Sequence, residues 1–348
     1  MEKLLLEDCC EILDSMRVPI TSSDRVEGPY PYYGANGIQD YVADYIFDDE
    51  LVLLAEDGGN FGSKERPIAY RVSGKCWVNN HAHVLKPKEG LDVDYLCYSL
   101  MFYNVGGMVN GATRQKLTQA AMRQMLIPKR TMEEQKYIVD LLAKVVAVKE
   151  KRQQELTELD NLIKARFVEM FDDIKDICDV GYYIKSLTAG KSLAGEAECE
   201  NKVLKTGAAS FDYFDASQVK NLPLDYEPQA EHLVKAGDII ISRMNTAELT
   251  GAAAYVWDIQ ENVYLPDRLW KANLNDECNP IFVWQMLIQP STKEQIRREC
   301  SGTSGSMKNI SKPGMLAIKV KKVPFELQNQ FAEFVKQVDK SKVVKISE

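Results

Sequence analysis

The amino-acid sequence predicts an α+β fold of two tandem domains, each made of short strands and helices, connected by long helices that form coiled coils. Three observations lead to this prediction: strand-like runs between glycine-containing turns, a long segment without glycine or proline, and similar residues returning in the second half. The chain has 348 residues, of which 45% are hydrophobic. This length and composition suffice for two domains with their own cores.

The first half of the chain alternates turn signals with short apolar runs. Gly-Ala-Asn-Gly at 34–37 and Asp-Gly-Gly-Asn at 57–60 are typical of turns. The runs between them are rich in Tyr, Ile, Val and Leu and predict strands. Further elements predicted in this half are the strands Ala69–Val72, Cys76–Val78 and His83–Leu85 and a helix over Asp92–Phe102.

The second half repeats this arrangement. Its predicted elements are the strands Leu204–Ala208, Asp238–Ser242, Ala252–Trp257 and Trp270–Asn273 and a helix over Pro280–Leu287. Each half is therefore predicted to be a small mixed α+β domain.

A single long helix is predicted from Thr131 to about Phe171. This segment contains no glycine or proline, and Thr131 with Glu134 forms a capping box that marks its start. At 1.5 Å per residue the helix is about 60 Å long, more than one small domain can cover, so we expect it to span the gap between the domains. The alternative is a solvated helix packed on one domain. Near-heptad spacing relates Ile138, Leu142, Val145, Leu156, Leu159, Ile163 and Phe167.

An internal repeat links the two halves. A shift of 193 positions aligns Leu117 with Ile310, and it continues without a gap through Met122 and Met315, Gln135 and Gln328, Ile138 and Phe331, and Val145 and Val338. A shift of 187 aligns Asp92–Leu96 with Asn279–Val283, so one short loop differs in length. Duplication explains the shared order of these matches, whereas two unrelated α+β domains are the alternative.

The repeat also gives the domain boundaries. The segment from Pro324 begins like the central helix and stops earlier. The predicted organisation is a first domain at 1–130, a central spacer helix at 131–172, a second domain at 173–323 and a shortened C-terminal helix at 324–348.

Bulk composition restricts the class of protein. The net charge of -8 and the pI near 5.2 oppose a uniformly basic nucleic-acid coat, so any DNA contact must come from local basic patches. The eight cysteines are scattered without a CxxC pair, which indicates reduced thiols. No apolar run is long enough for a signal peptide or membrane span, so we expect a cytoplasmic protein.

The sequence resembles the specificity subunit of Type I restriction-modification systems over essentially its whole length. The segments that carry the resemblance are GATRQKLTQAAMRQMLIPKR before EEQKYIVDLL, KARFVEMF at the end of the central helix, GTSGSMKNISKPGMLAIKVKKVP before ELQNQFAEFVKQVD, and the KTGAAS and GDIIISRMN segments. The two predicted domains then resemble target recognition domains.

This resemblance implies a subunit without catalysis of its own. Each recognition domain would read one half of a bipartite target in double-stranded DNA, while the helices would set the spacing and dock two methyltransferase subunits. This chain would bind no cofactor or metal. S-adenosylmethionine would belong to the methyltransferase subunits, and ATP and Mg to the partner subunits, which can include motor-nuclease (restriction) subunits.

Residues for the two kinds of DNA contact follow from side-chain chemistry. Base edges are read by Arg, Asn, Gln and small polar groups on turns, whereas phosphates need only cations. The candidates for base contacts are Tyr33, Asn36, Asn60, Asn80, His81, Gln115, Thr206, Arg243, Asn245, Arg268 and Asn309. The candidates for phosphate contacts are Arg114, Lys116, Arg123, Lys308, Lys312, Lys319, Lys321 and Lys322, for each of which a solvated surface charge is the alternative.

Two other classes of function compete with DNA recognition. A coiled-coil scaffold that holds two protein-binding domains would suit the acidic pI. A metal-dependent hydrolase would use His81 and His83, which lie on one face of a strand, but only His232 is left as a further histidine and no acidic or cysteine cluster has ligand spacing. The sequence also lacks a GxSxG elbow and a Walker A motif.

Overall fold

The computed structural model describes residues 2–111, 114–302 and 307–347, with side chains up to residue 340. It divides the chain into two compact units, Met1–Lys151 and Arg152–Glu348. Both units combine helices with strands, which confirms the predicted α+β class. Among the described residues, no helix has the length and apolar character that crossing a membrane requires.

Unit 1 (Met1–Lys151) is centred on one six-stranded sheet of order β2-β7-β5-β6-β3-β4, accompanied by the pairs β1-β10 and β8-β9. Its strands are β1 (Lys3–Leu5), β2 (Cys10–Ile12), β3 (Tyr30–Gly34), β4 (Gly37–Val42), β5 (Phe47–Ala55), β6 (Ala69–Val78), β7 (Ala82–Pro87), β8 (Val109–Asn110), β9 (Lys116–Leu117) and β10 (Leu126–Pro128). Its short helices are α1 (Leu6–Cys9), α2 (Val93–Met101) and α3 (Gln119–Arg123).

The sheet of unit 1 is buried on both faces around β5. Residues 51–55 of β5 are all buried, and they divide between two apolar clusters: Leu54 packs with Leu96 of α2, whereas Leu53 packs with Val84 on the other side. A strand buried on both faces lacks the polar alternation of a surface strand. The two strands expected at 69–78 form one strand, β6, because Gly74 adopts a φ of 76° and stays paired with Asp49.

Unit 2 (Arg152–Glu348) contains a four-stranded sheet of order β12-β19-β15-β17, a three-stranded sheet of order β14-β13-β18 and the pairs β11-β21 and β16-β20. A fourth helix, α4, runs from Met132 to Phe171 and crosses the division between the units. The strands are β11 (Ile177–Asp179), β12 (Ile184–Ala189), β13 (Lys202–Leu204), β14 (Val219–Asn221), β15 (Ile239–Ser242), β16 (Met244–Asn245), β17 (Ala253–Tyr255), β18 (Val263–Tyr264), β19 (Leu269–Leu274), β20 (Lys308–Asn309) and β21 (Lys319–Lys321). The remaining helices are α5 (Pro280–Leu287), α6 (Pro290–Glu299), α7 (Lys312–Leu316) and α8 (Phe325–Ser347).

Two expectations for the second half need correction. The strand predicted over Leu204–Ala208 ends at Leu204, because the chain enters a 3-10 turn over Thr206–Ala209. The helix α6 was not predicted, since its ten residues carry only one strongly apolar side chain, Ile296, which is buried.

The long helix α4 begins as its capping box predicts. The Thr131 amide donates to Glu134 Oε2 at 2.9 Å, and the Glu134 amide donates to Thr131 Oγ1 at 3.3 Å. Within unit 2, Phe167 and Phe171 near its end pack against Phe331 of α8, with ring centroids 5.4 Å away in both cases. The predicted apolar stripe is incomplete in the middle of the helix, where 58% of Val145 is exposed.

The predicted repeat is visible in matching hydrogen bonds inside each unit. Gln135 Oε1 accepts from the amide of Asp92, which caps α2, and Gln328 Oε1 accepts from the amide of Asn279, which caps α5. Further equivalent pairs are β1-β10 with β11-β21, and the helix caps Thr118 with Ser311. These local bonds recur at the spacings found in the sequence, so the two units share one framework.

Candidate nucleic-acid interface

The turn at residues 57–60 gathers the candidate residues of unit 1. It follows β5 and positions two asparagines, because Asn36 Nδ2 donates to the Gly58 carbonyl at 3.0 Å and Asn60 Nδ2 donates to Asn36 Oδ1 at 3.1 Å. Gly58 has a φ of 63°, and a side chain there would meet the Arg114 guanidinium at 3.4 Å. Glycine at this position therefore allows both the positive φ of the turn and the close approach of the Arg114 side chain.

The carboxylate of Asp57, beside this turn, contacts two of the candidate side chains. Asp57 Oδ1 is 2.6 Å from His81 Nδ1 and 2.8 Å from Arg114 Nη2. His81 is further fixed by its own amide, which donates to Asn79 Oδ1 at 2.8 Å. Asn79 was not predicted. This asparagine is buried, and its side chain positions His81, two residues further along the chain. The sequence pattern did not indicate this contact.

Gln115 and Lys116 complete the cluster from the other side. The amide of Gly58 donates to the Gln115 carbonyl at 3.3 Å, and the side chain of Gln115 is exposed. Lys116 Nζ lies 2.9 Å from Glu56 Oε1. Six predicted residues thus share one surface: Asn36, Asn60, His81, Arg114, Gln115 and Lys116.

A buried ion network that the sequence did not predict supports this surface. Asp14 accepts hydrogen bonds from Gln119 Nε2 at 2.9 Å and from the Val84 amide at 2.9 Å, and it lies 2.7 Å from His83 Nδ1. The other ring nitrogen of His83 lies 2.9 Å from the Leu117 carbonyl. Both ring nitrogens of His83 thus face oxygen atoms, and the network ties β9 to the sheet.

Two carboxylates in this network stay charged despite their burial. Burial alone would raise the pKa of the Asp14 carboxyl, but hydrogen bonds from His83 and Gln119 hold it below its ordinary value. Burial likewise opposes ionisation of Glu56, while bonds from Arg17 and Lys116 lower its pKa below the usual range. The cations balance the buried negative charge.

The same groups provide the cluster that most resembles a metal site within the described part of the chain. Ligand atoms of Asp14, Glu56 and His83 lie within 4.8 Å of one another. Both ring nitrogens of His83 already face oxygen atoms, and Arg17 Nη1 lies 2.6 Å from Glu56 Oε2. This donor set fits an ion-pair network rather than a divalent cation. His81 and His83, the pair considered for a hydrolase, belong to separate contacts.

The candidate residues of unit 2 meet around the short pair β16-β20. Met244 pairs with Asn309 and Asn245 pairs with Lys308. The Arg243 amide donates to the Arg268 carbonyl at 3.1 Å, which brings the two arginines together. The guanidinium of Arg243 lies 5.5 Å from the ring centroid of Trp270, a cation-π distance.

The remaining candidates join this group through one serine. Asn245 Nδ2 donates to Ser210 Oγ at 3.1 Å, and Ser210 Oγ donates to the Thr206 carbonyl at 3.0 Å. The structure therefore brings together Thr206, Arg243, Asn245, Arg268, Lys308 and Asn309. Ser210 was not predicted, because a small serine next to a run of alanines carries no distinctive signal.

Three buried polar atoms of unit 2 have no hydrogen-bond partner among the described residues. They are Arg243 Nε, Trp270 Nε1 and Asn309 Oδ1. Buried polar atoms are normally paired, and these three exceptions belong to the cluster around Arg243 or, in the case of Trp270, contact it.

The two clusters have the same backbone frame, which consists of two hydrogen bonds and one strand contact. In unit 1 the Glu56 amide donates to the His81 carbonyl at 2.8 Å and the Glu56 carbonyl accepts from Leu117 at 2.7 Å. In unit 2 Arg243 makes both bonds at 3.1 Å, to the Arg268 carbonyl and from the Ile310 amide. The strand contact is Asp57 with Lys116 in unit 1 and Met244 with Asn309 in unit 2.

Several candidates lie outside these clusters. Lys321 Nζ donates to the Phe171 carbonyl at 2.8 Å and the Asp172 carbonyl at 2.5 Å, so it caps the end of α4. Lys322 lies over the Tyr182 ring. Five further candidates contact neither cluster. Tyr33 packs on Tyr70, Arg123 pairs with Glu7, and Lys319 pairs with Asp179. Asn80 and Lys312 are exposed.

Parts of the two motifs that carried the family resemblance lie outside the described residues. These are Ala112 and Thr113 of the first motif and 303–306 of the second. In sequence order, the first gap lies between β8 and β9 and the second lies before β20.

Comparison with known proteins bears on the family and the fold, not on individual residues of the clusters. Residues 1–158 match the family described as the Type I restriction modification DNA specificity domain. A putative type I restriction enzyme specificity subunit of Haemophilus influenzae is 41% identical over 143 residues, which is 41% of this chain and 37% of that protein. The EcoprrI specificity subunit of Escherichia coli is 25% identical over 115 residues, which is 33% of this chain and 27% of that protein. The matches thus span well under two thirds of these relatives.

A solved structure supports the fold over nearly the whole chain. The S subunit of a Type-I restriction-modification system from M. genitalium superimposes with a TM-score of 0.55 at 14% identity, covering 99% of this chain and 91% of that one. At this identity the likeness concerns the fold alone. The chain is therefore similar to Type I restriction-modification specificity subunits, in sequence over residues 1–158 and in fold over nearly its whole length.

Proposed function

We propose that the chain recognises a bipartite target in double-stranded DNA, with each unit reading one half. The observation that carries this proposal is the shared backbone frame with different side chains. Unit 1 places Glu56 and His81 where unit 2 places Arg243 and Arg268. A common frame with changed side chains suits two readers of different short sequences.

The side chains of each cluster fit base and phosphate recognition. Guanidinium groups pair with guanine, and carboxamides such as that of Gln115 pair with adenine in the major groove. The exposed cations of the clusters supply local positive charge on an acidic chain, as phosphate contacts require. Lys116 and Arg114 also neutralise the acidic residues beneath them, so the DNA would meet donors rather than bare carboxylates.

The helix α4 is proposed to dock methyltransferase subunits. In unit 1 it exposes apolar side chains at helical spacing: 70% of Tyr137, 49% of Leu141 and 58% of Val145 are accessible. Such an apolar stripe on a surface helix is a suitable binding surface for a partner helix. The same helix would set the distance between the half-sites.

Chemistry is proposed to come from the partners. S-adenosylmethionine would be held by the methyltransferase subunits, and ATP and Mg by the associated subunits, which can include motor-nucleases. The histidines and carboxylates of unit 1 instead pair with each other and with Arg17, which gives them a structural role. As a non-catalytic subunit acting on cellular DNA, the chain is expected in the cytoplasm.

Selection from a random-sequence duplex library tests this function. The full chain is incubated with the library together with its methyltransferase partner, and the bound duplexes are sequenced. We expect a gapped motif of two short half-sites. Enrichment of no motif would support the alternative, a coiled-coil scaffold that binds only proteins, and the DNA-reading role would be lost.

A further inference from the structure

A short aromatic turn at residues 210–214 presents two rings to solvent. Phe211 is 63% exposed and Tyr213 is 58% exposed. Their rings are nearly parallel, with an interplanar angle of 19° and centroids 6.3 Å apart. Two neighbouring aromatic side chains with this exposure present adjacent apolar surfaces to solvent.

The turn is held rigidly by three separate elements. Asp212 adopts a φ of 64°, a conformation that is rare outside glycine. Its Oδ1 accepts from the Ala253 amide of β17 at 3.2 Å, its carbonyl accepts from Trp284 Nε1 of α5 at 3.3 Å, and its other carboxylate oxygen pairs with Lys293 of α6. The residue between the rings is therefore fixed.

Both ends of the turn also point inwards. Ser210 is buried, and Phe214 packs against the apolar cluster around Leu204. Inward and outward residues alternate along the turn. The contacts of Ser210, Asp212 and Phe214 therefore direct Phe211 and Tyr213 outwards, and neither ring depends on the other for its position. Preorganised rings lose little conformational entropy when they bind.

The aromatic turn adjoins the candidate interface of unit 2. Ser210, the residue before Phe211, accepts the hydrogen bond from Asn245 and donates to the Thr206 carbonyl. Asn245 in turn pairs with Lys308 across β16-β20. The exposed rings thus border the polar and basic side chains that are proposed to meet DNA.

We propose that Phe211 and Tyr213 form an aromatic wedge that inserts against a base step in the half-site read by unit 2. This inference rests on the proposed DNA-reading function. Apolar side chains of several DNA-binding proteins unstack a base step in this way, and aromatic rings stack on any base. Deformable base steps cost less energy to unstack, so the wedge favours them. It thereby adds a sequence preference at a position where no base is read by hydrogen bonds.

The test uses duplexes that carry the selected motif with 2-aminopurine placed in turn at each position of the unit 2 half-site. The full chain with its methyltransferase partner is titrated into each duplex. We expect binding to raise the fluorescence at one base step, because unstacking relieves quenching. The double change Phe211→Ala with Tyr213→Ala should remove this rise and weaken binding about tenfold.

Matched variants separate the wedge from general effects. Tyr213→Phe keeps the ring and should keep the fluorescence rise, and Leu224→Ala, which removes an exposed side chain elsewhere in unit 2, should behave as wild type. Lys293→Met releases the turn and should reduce the rise without removing a ring. An unchanged rise in Tyr213→Phe and Leu224→Ala, together with a reduced rise in Lys293→Met, would support the proposal.

Three results would overturn it. The rise could be absent in the wild-type complex although the motif is bound, or the double variant could bind and unstack DNA normally. The double variant could also lose its methyltransferase partner while it still unstacks DNA, which would assign the rings to protein docking. If the wild-type complex selects no motif at all, the proposed function fails first and this inference fails with it.

Discussion

Glu56 and Arg243 occupy the same place in the backbone frames of the two units. Each donates its amide to the carbonyl of the residue just before a strand, His81 before β7 or Arg268 before β19. Each carbonyl in turn accepts from the amide of a buried aliphatic residue, Leu117 or Ile310. One unit therefore carries a carboxylate, and the other a guanidinium, at equivalent backbone positions. In unit 1 the carboxylate is balanced by Arg17 and Lys116, whereas the Arg243 Nε has no partner among the described residues.

The change Lys321→Met is expected to destabilise the protein. Its ammonium group bonds two carbonyls at the end of α4, where a cation interacts favourably with the helix dipole. We expect a loss of about 1 kcal/mol and a melting temperature lower by a few degrees, measured by thermal unfolding. Lys322→Met is the matched control, and an equal loss of stability in both variants would contradict the capping role.

The change Lys322→Ala is expected to weaken DNA binding equally on all sequences. Phosphate contacts position a protein without specifying bases, and each one lost reduces the slope of log affinity against log salt by about 0.9. Titrations of the target and of unrelated duplexes at several salt concentrations measure both quantities. An altered motif with unchanged affinity would show that Lys322 does not act on phosphates.

The change Asp14→Asn is expected to lower the free energy of unfolding by about 3 kcal/mol at neutral pH, because it removes one of the two buried carboxylates that face His83 and Arg17 and leaves Glu56 alone. The pKa of Asp14 is below its ordinary value of 3.8, so its charge stabilises the fold above that pH. The advantage of wild type should therefore shrink as the pH falls below 3.8 through the lower folded pKa.

Denaturant titrations of wild type and Asp14→Asn between pH 3 and 7 provide this comparison. Glu65→Gln, an exposed carboxylate in a loop, is the control and should change stability little at any pH. A difference between wild type and Asp14→Asn that stays constant with pH would argue against an ionised Asp14.

Four residues inserted after Gln153 in α4 are expected to lengthen the gap between half-sites. One added helical turn extends the helix by about 6 Å, which corresponds to about two base pairs. Duplex selection with the insertion variant measures the new gap. A variant with residues 151–154 replaced by alanines, at the original length, should keep the original gap. An unchanged gap in the insertion variant would refute the spacing role.

Sequence patterns predicted the regular elements and the repeat, because these depend on local signals. The capping box at Thr131 and the match of Gln135 with Gln328 are both borne out by hydrogen bonds. The clustering of Asn36, Arg114 and Gln115 also follows from their places in turns of one domain, although their contacts could not be read in advance.

The network beneath the interface could not be predicted from the sequence. Asp14 meets His83 and Gln119 only because β2, β7 and α3 converge, and no spacing along the chain indicates this. For Lys321, the sequence context suggested a role that the structure does not show. Its sequence context is a basic run typical of a surface, yet tertiary packing directs its ammonium group to the end of a helix.

The most direct test of separate readers is methylation sequencing of cells that carry the methyltransferase partner with wild type, Gln115→Ala or Arg268→Ala. We predict that Gln115→Ala relaxes only the half-site of unit 1 and Arg268→Ala only the half-site of unit 2, each by about 1–3 kcal/mol at one base. The gap should stay the same. If either change altered both halves, or if the methylated motif were continuous, the two units would not read the halves independently.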